Sequence, residues 1–189
     1  MFVPSVIHKY IMKKTNNLIF TGLQIVAWII FIGLCIEAGG LLVNFVFSIY
    51  NPDMISRLYN KLNLMAMYQQ SAFAFYAVYS FILIIAILKA ILFYLVIILL
   101  LRLDLAKPFS DFVAKQIMLI SYYTLVIGLL SYMARHYAGN LQHQGIETAV
   151  LNTYWADSQA FILMAAVVYI IATIFKTGIT IQNENDLTV

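Results

Sequence analysis

FAFYAVYSFILIIAILKAILFYLVIILLL, residues 73–101, is the stretch of sequence that decides the fold. Its single charged residue is Lys89, and the segment that follows Lys89 is apolar up to Leu101. A helix needs about 20 mainly apolar residues to cross the roughly 30 Å hydrocarbon core of a bilayer. Residues 73–101 are therefore predicted to form a transmembrane helix.

Three further stretches have the same character, and the composition of the whole chain agrees with them. The chain has 189 residues, of which 63% are hydrophobic and 10% are charged, whereas about 25% are charged in ordinary soluble domains. Its apolar surface therefore needs lipid as its solvent. The predicted fold class is all-α: a polytopic membrane protein in one domain, residues 1–189, with four transmembrane helices. The predicted spans are about 18–43, 73–101, 117–134 and 159–175, the outer connections about 44–72 and 135–158, the cytoplasmic connection about 102–116, and the cytoplasmic tail 176–189.

The distribution of basic residues predicts the orientation. Lys and Arg are enriched in the cytoplasmic connections of membrane proteins. With four spans, seven basic residues lie on the side of the two termini: Lys9, Lys13, Lys14, Arg102, Lys107, Lys115 and Lys176. Three lie on the other side: Arg57, Lys61 and Arg135. Both termini are therefore predicted to be cytoplasmic, in a multi-pass protein of the inner (cytoplasmic) membrane.

The first span also resembles a secretory signal, because Lys13 and Lys14 precede an apolar run that reaches Cys35. Signal peptidases require small residues at the cleavage site, but the residue before Cys35 is Leu34. Hydrophobicity also continues past Glu37. These features favour a retained span over a cleaved leader.

The connections carry local helix signals. Asn51 followed by Pro52 is typical of a helix start, and Ile55, Leu58, Leu62 and Met65 then recur at helical spacing. Two alternatives fit: an amphipathic helix on the outer membrane surface, or an extension of the second span. After the second span, Pro108 interrupts the helix and Ser110 is predicted to cap the next one. Tyr154 and Trp155 are expected to anchor the fourth span at the headgroups.

Glu37 and Lys89 are the only formal charges within the predicted spans. A charge inside a membrane usually pairs or lines a cavity. The two are therefore predicted to form an intramembrane polar pair, and the alternative is that each has a structural or interfacial role. Gly33 and Gly40 share one face of the first span, so close helix packing is expected there.

No residue pattern indicates catalysis. The sequence has no nucleophile triad, paired-carboxylate site or phosphate-binding loop, so we predict a non-enzymatic protein without a cofactor. His136, His143 and Glu147 form a weak metal candidate, because no standard ligand spacing is met. No basic stripe with interleaved aromatic residues appears in a polar context, so direct nucleic-acid binding is not expected.

Two segments carry a resemblance to a known family. One is Leu105-Ala106-Lys107-Pro108-Phe109-Ser110, followed by Ala114, Ile117 and Ile120. The other is Phe175-Lys176-Thr177-Gly178-Ile179, followed by Gln182 and by Glu184-Asn185-Asp186-Leu187-Thr188-Val189. With the four-span profile, these segments resemble the bacterial membrane family catalogued as domain of unknown function 2975. Family members commonly have an Asn where this chain has Ala114, so no polar role is carried over to that position.

The resemblance implies a small bacterial four-helix membrane protein. Members of the family are often encoded beside small helix-turn-helix transcription regulators, which suggests such a regulator as a cytoplasmic partner. The two cytoplasmic segments, around Lys107–Ser110 and Glu184–Thr188, are therefore the predicted interaction surface. The leading functional prediction is a regulatory or interaction protein in the lipid bilayer. The alternatives are a small oligomeric channel or transporter that uses Glu37 and Lys89, and a lipid- or quinone-binding protein. A homo-oligomer is left open.

Overall fold

The computed structural model describes the backbone of residues 5–57, 64–104 and 108–186, and the side chains of residues 19–53, 55, 64–104 and 108–184. These ranges are almost entirely helical and contain no β-strand. The elements in chain order are α1 (Ser5–Tyr50), a 3-10 helix (Pro52–Arg57), α2 (Met65–Gln70), α3 (Ala72–Arg102), α4 (Asp111–His143), a 3-10 helix (Ala149–Leu151), α5 (Asn152–Trp155) and α6 (Ser158–Asp186).

Four of these helices are long and apolar enough to cross a membrane: α1, α3, α4 and α6. Each occupies the place of one predicted span and continues beyond it. Helix α4, for example, has 33 residues and is about 50 Å long, since each helical residue advances about 1.5 Å. The prediction of an all-α protein with four membrane-length helices is confirmed.

Two helix starts follow the local signals in the sequence. The Oγ of Ser110 accepts a hydrogen bond from the backbone N–H of Val113 at 3.3 Å, which caps the first turn of α4. The Oδ1 of Asn51 accepts one from the N–H of Asp53, also at 3.3 Å. The helix that begins at Pro52 is a 3-10 helix. Both predicted caps are confirmed, because each short polar side chain satisfies a backbone donor that the helix leaves open.

The connection before α3 differs from both alternatives that its sequence suggested. Ile55, Leu64 and Met67 are buried in the protein core. Ser71 is extended and separates α2 from α3. The described part of this segment is therefore neither one helix on the membrane surface nor a continuation of α3, because its apolar side chains pack against the protein. Leu58 and Leu62 lie outside the described residues.

The four long helices pack in a row rather than around a common axis. The extensive contacts join α1 to α3, α3 to α4, and α4 to α6. Only 6% of the residues in the most apolar part of α1 are buried, compared with 39% in α3 and in α4. Neighbours run antiparallel. One end of the row carries residues 51–57, 64–71 and 144–157, and we call it the loop end; the other carries residues 103–104 and 108–110, and we call it the terminal end.

Hydrogen bonds between side chains and backbone carbonyls fix the register of the row. Gln24 Nε2 on α1 donates to the carbonyl of Leu100 at 3.1 Å near the terminal end. The hydroxyl of Tyr79 donates to the carbonyl of Leu41 at 3.1 Å, nearer the loop end. In a medium without water, such bonds replace those that these polar groups would otherwise make to solvent.

Helices α4 and α6 approach each other closely at Gly128. A Cβ added at Gly128 would stand 2.7 Å from Ile162 Cγ1 and 3.0 Å from the Ile162 backbone nitrogen. Two turns before Gly128 on α4, the Oγ of Ser121 donates a hydrogen bond to the carbonyl of Ala165 at 3.0 Å. Small residues let the two backbones approach, as is common between helices in membranes.

Close packing was predicted at Gly33 and Gly40, and these two glycines lie on α1. At Gly33 an added Cβ would meet no atom within 4 Å, and Gly40 is half-buried. Among the described residues, the close approach predicted at Gly33 is thus not made, because Gly33 is exposed on α1. Helical spacing placed Gly33 and Gly40 on one face but contained no information about which face has a neighbour.

The contact at Gly128 predicts that a Gly→Ala substitution there changes the stability of the protein differently from the same substitution at Gly33. Gly128→Ala forces Ile162 and the α6 backbone outward and is expected to destabilise the protein by about 1–3 kcal/mol, as over-packed sites do. Gly33→Ala, the matched control, meets open space and is expected to be neutral or to stabilise α1 by up to about 1 kcal/mol. Unfolding in mixed detergent micelles, followed by circular dichroism, measures both. Equal stabilities of the two variants would contradict the assigned α4–α6 contact.

Candidate functional site

The two segments that carry the family resemblance meet at the terminal end. The ring centroids of Phe109 and Phe175 lie 5.2 Å apart, with the ring planes inclined by 47°. A Cβ at Gly178 would stand 2.8 Å from two atoms of the Phe109 ring. The ring of Phe109 therefore lies directly on the backbone of α6 at Gly178. We call Phe109, Phe175 and Gly178 the terminal-end junction.

Local structure explains how Phe109 reaches α6. Helix α3 ends at Arg102, and Ser110 begins α4 as its N-cap, so Phe109 stands at the point where the chain turns. Beneath it a small buried cluster joins the two helices through Val113, Ile117 and Ala172. The junction is the exposed edge of this cluster, since 42% of the Phe109 side chain is accessible.

Helix α6 continues past the junction. Its backbone is helical to Asp186, and the side chains of residues 180–184 are exposed. Ile181 is an apolar member of this exposed segment, with 54% of its side chain accessible. The tail expected to begin at residue 176 is thus a helical extension of α6 through Asp186. It rests on the junction at its base.

The predicted interaction residues are only partly described. Pro108 is half-buried, and Glu184 is exposed. Asn185 and Asp186 are described as helical backbone. Lys107, Leu187 and Thr188 lie outside the described residues. Between the two segments, the ring of Phe109 contacts Phe175 and Gly178.

Two side-chain amides near the terminal end, the half-buried Gln24 and the buried Gln116, were missed by the sequence analysis. Gln24 donates to the carbonyl of Leu100, and Gln116 Nε2 donates to the carbonyl of Leu95 at 3.0 Å. Each joins a neighbouring helix to α3. A Gln within an apolar stretch could have indicated such a bond, because an amide in a membrane needs a hydrogen-bond partner in the protein.

Lys89 has an aromatic neighbour. Its Nζ lies 5.7 Å from the centroid of the Phe161 ring on α6, within the range of a cation–π contact. Glu37 is half-buried on α1. Among the described side chains the structure gives Lys89 this contact and no ion pair with Glu37. The intramembrane pair remains a prediction.

The histidines of the loop end do not gather into a metal site. Within the described residues, no three His, Cys, Asp or Glu side chains stand close enough together to hold a metal ion. His136 and His143 lie two turns apart on α4, and both are exposed. Glu147 follows the end of α4 and is exposed as well.

The loop end contains a dense aromatic core that sequence reasoning missed. Trp155 is 1% exposed, and Tyr79 and Phe75 are fully buried with it in the main cluster. Trp155 is therefore not the headgroup anchor that was expected; it packs inside the protein. The four-residue spacing of Leu151 and Trp155, both buried, was the available signal for a buried helical face.

An apolar cleft opens between α1 and α3. Its volume is about 430 Å³, and it is lined by Phe31, Cys35, Ala38, Ile87, Ala90, Ile91 and Tyr94. The rings of Phe31 and Tyr94 lie 5.9 Å apart at one side of it. The cleft has room for an apolar chain between two helices that are expected to lie in hydrocarbon.

Comparison with known proteins gives one match. A family model described as a protein of unknown function (DUF2975) matches residues 58–189. This range includes α3, α4, α6 and both segments of the terminal-end junction. No curated protein and no solved structure matches the chain.

The junction predicts that Gly178→Ala loosens the connection at Phe109 and Ser110. The new Cβ displaces the Phe109 ring, so hydrogen exchange at the backbone amides of Phe109 and Ser110 is expected to accelerate about fivefold, as a loss of about 1 kcal/mol of local stability implies. Gly22→Ala is the control, because a Cβ there meets no atom within 4 Å. If exchange in this connection is equally fast in both variants, Phe109 does not hold it against α6.

Proposed function

The chain belongs to this family of proteins of unknown function, since the family model matches residues 58–189 of its 189 residues, and we propose that it is a non-enzymatic regulatory or interaction protein. In this proposal it lies in the cytoplasmic membrane and binds a cytoplasmic partner at its terminal end. The single observation that carries the proposal is the contact of Phe109 with Gly178 and Phe175. That contact joins the two segments that the sequence analysis singled out into one surface.

The junction supports a binding role because it fixes the direction of an exposed helix. The last two turns of α6 extend beyond Gly178 in the terminal-end junction. A helix held at its base loses less conformational freedom on binding than a mobile tail would, which favours affinity. It presents Ile181 to a partner.

The terminal end faces the cytoplasm in this proposal. The sequence places seven basic residues on that side and three on the other, and such a bias marks the cytoplasmic side of membrane proteins. The proposed surface is then accessible to soluble proteins of the cell interior.

The proposed partner is a helix-turn-helix transcription regulator, as the family resemblance suggests. Holding a regulator at the membrane would keep it from DNA until the membrane protein changes state. The chain itself binds no nucleic acid in this scheme. The segment after Gln182 contains the acidic residues Glu184 and Asp186 and no basic residue, so its charge is opposite to that of the basic surface that such regulators present to DNA.

Binding to a helix-turn-helix regulator encoded in the same genome tests the proposal. The purified protein in lipid nanodiscs is expected to bind that regulator, and truncation after Gln182 is expected to weaken binding at least about tenfold, since interface helices concentrate affinity in few residues. Biolayer interferometry measures both affinities. Gln142→Ala, an exposed position at the loop end, is the matched control and is expected to bind as the unaltered protein does. Equal affinity of the truncated and full-length proteins would contradict the proposed site.

A second candidate function rests on the cleft between α1 and α3. Its apolar lining and the paired rings of Phe31 and Tyr94 favour a lipid- or quinone-binding protein. Solvent extraction of the purified protein and mass spectrometry test it; an extract without a lipid or quinone in stoichiometric amount argues against this candidate.

The third candidate, a small oligomeric channel or transporter using Glu37 and Lys89, has less support. Lys89 lies over Phe161, and the long helices form a row. A path for solutes would then require a homo-oligomer. Ion flux in proteoliposomes, compared with that of a Glu37→Gln variant, tests this candidate.

A further inference from the structure

Helix α4 presents a continuous apolar stripe to its surroundings. The exposed side chains on this face are large and apolar: Tyr122, Leu125, Val126, Leu129, Tyr132 and Met133. The opposite face of α4 is buried against α3 and α6. In a membrane this stripe is in contact with lipid acyl chains.

The stripe ends in a polar cleft at the loop end. The cleft has a volume of about 270 Å³ and is lined by Tyr132, Arg135, His136, Gly139, Asn140 and His143. All six residues belong to α4. At Gly139 an added Cβ would meet no atom within 4 Å, so the missing side chain leaves the middle of the cleft open.

The lining of the cleft suits a phosphate group. Arg135 presents a guanidinium, which binds phosphate oxygens through two parallel hydrogen bonds. The imidazole N–H groups of His136 and His143, the Tyr132 hydroxyl and the Asn140 amide are further donors. Among the described residues, no Asp or Glu belongs to the lining. The cleft is therefore complementary in charge to an anion.

The spacing of the two surfaces matches the two parts of a phospholipid. Residues 122–133 of α4 span about 16 Å and residues 135–143 about 12 Å, at about 1.5 Å per residue. One leaflet contributes about 15 Å of hydrocarbon. An acyl chain that lies along the stripe thus places its headgroup phosphate beside Arg135.

We propose that α4 binds an anionic phospholipid, with the phosphate in the cleft at Arg135 and an acyl chain along the stripe from Tyr122 to Met133. The lipid belongs to the leaflet at the loop end. Charge complementarity selects an anionic headgroup over a zwitterionic one, because a zwitterionic headgroup adds a cation beside Arg135. This inference is independent of the partner proposed for the terminal end.

Native mass spectrometry of the full-length protein in detergent tests the proposal. Phosphatidylglycerol is expected to bind more tightly than phosphatidylcholine. Arg135→Gln is expected to weaken phosphatidylglycerol binding about five- to tenfold, the effect of losing one positive charge at a lipid headgroup. Lys115→Gln is the matched control, because it removes one exposed positive charge from α4 at the terminal end. It is expected to leave the affinity unchanged.

Three results would overturn the proposal. Equal binding of the two phospholipids would remove the selection for an anion. An equal loss in Arg135→Gln and Lys115→Gln would show attraction by net charge alone. Competition by glycerol phosphate, which has no acyl chain, would identify a soluble anion as the occupant. Circular dichroism confirms that the variants are folded, and since Arg135 and Lys115 are both exposed, no loss of helix is expected.

Discussion

The fold depends on the transfer of apolar side chains into hydrocarbon. The accessible surface of the chain is 12602 Å², whereas a folded soluble monomer of its mass, 21.5 kDa, has about 9,200 Å². Helix α1 contributes to this excess, because it buries little of its apolar surface within the protein. In water each exposed apolar Å² would cost about 25 cal/mol. In lipid that cost disappears, and contacts between helices need only be better than contacts with lipid.

This constraint explains where the specific interactions lie. Between helices in lipid the hydrophobic effect contributes little, so close backbone approach and hydrogen bonds to carbonyls join them. Gly128 and Ser121 provide both between α4 and α6. Large apolar side chains pack mainly at the loop end, where Trp155, Tyr79 and Phe75 form a core around the short connecting helices. The terminal end is held by the smaller junction at Phe109. One end of the molecule is thus densely packed, and the other presents an exposed helix on a narrow base.

The sequence predicts the helices well, but it predicts poorly which helices pack against each other. The number of long helices follows from apolar length, and the starts of α4 and of the first 3-10 helix follow from Ser110 and Asn51, because capping is a local interaction. Gly33 and Gly128 are indistinguishable by sequence, since their roles depend on which face meets another helix. Trp155 was expected at the headgroups because indole favours interfaces, but the turn after α4 directs it inward. The family resemblance includes the segments of Phe109 and Gly178. Their contact could not be predicted from it, because the contact depends on the tertiary structure.

The most direct test of this account uses the two ends of α4 in intact cells. In a Cys35→Ser background, Lys115→Cys and Gln142→Cys each introduce one exposed thiol, about 40 Å apart along the same helix. A membrane-impermeant maleimide added outside the cells is expected to label the thiol at position 142, and to label that at position 115 only after the membrane is permeabilised. Labelling of both thiols, or of neither, in unpermeabilised cells would show that α4 does not cross the membrane, and labelling of position 115 alone would reverse the proposed orientation.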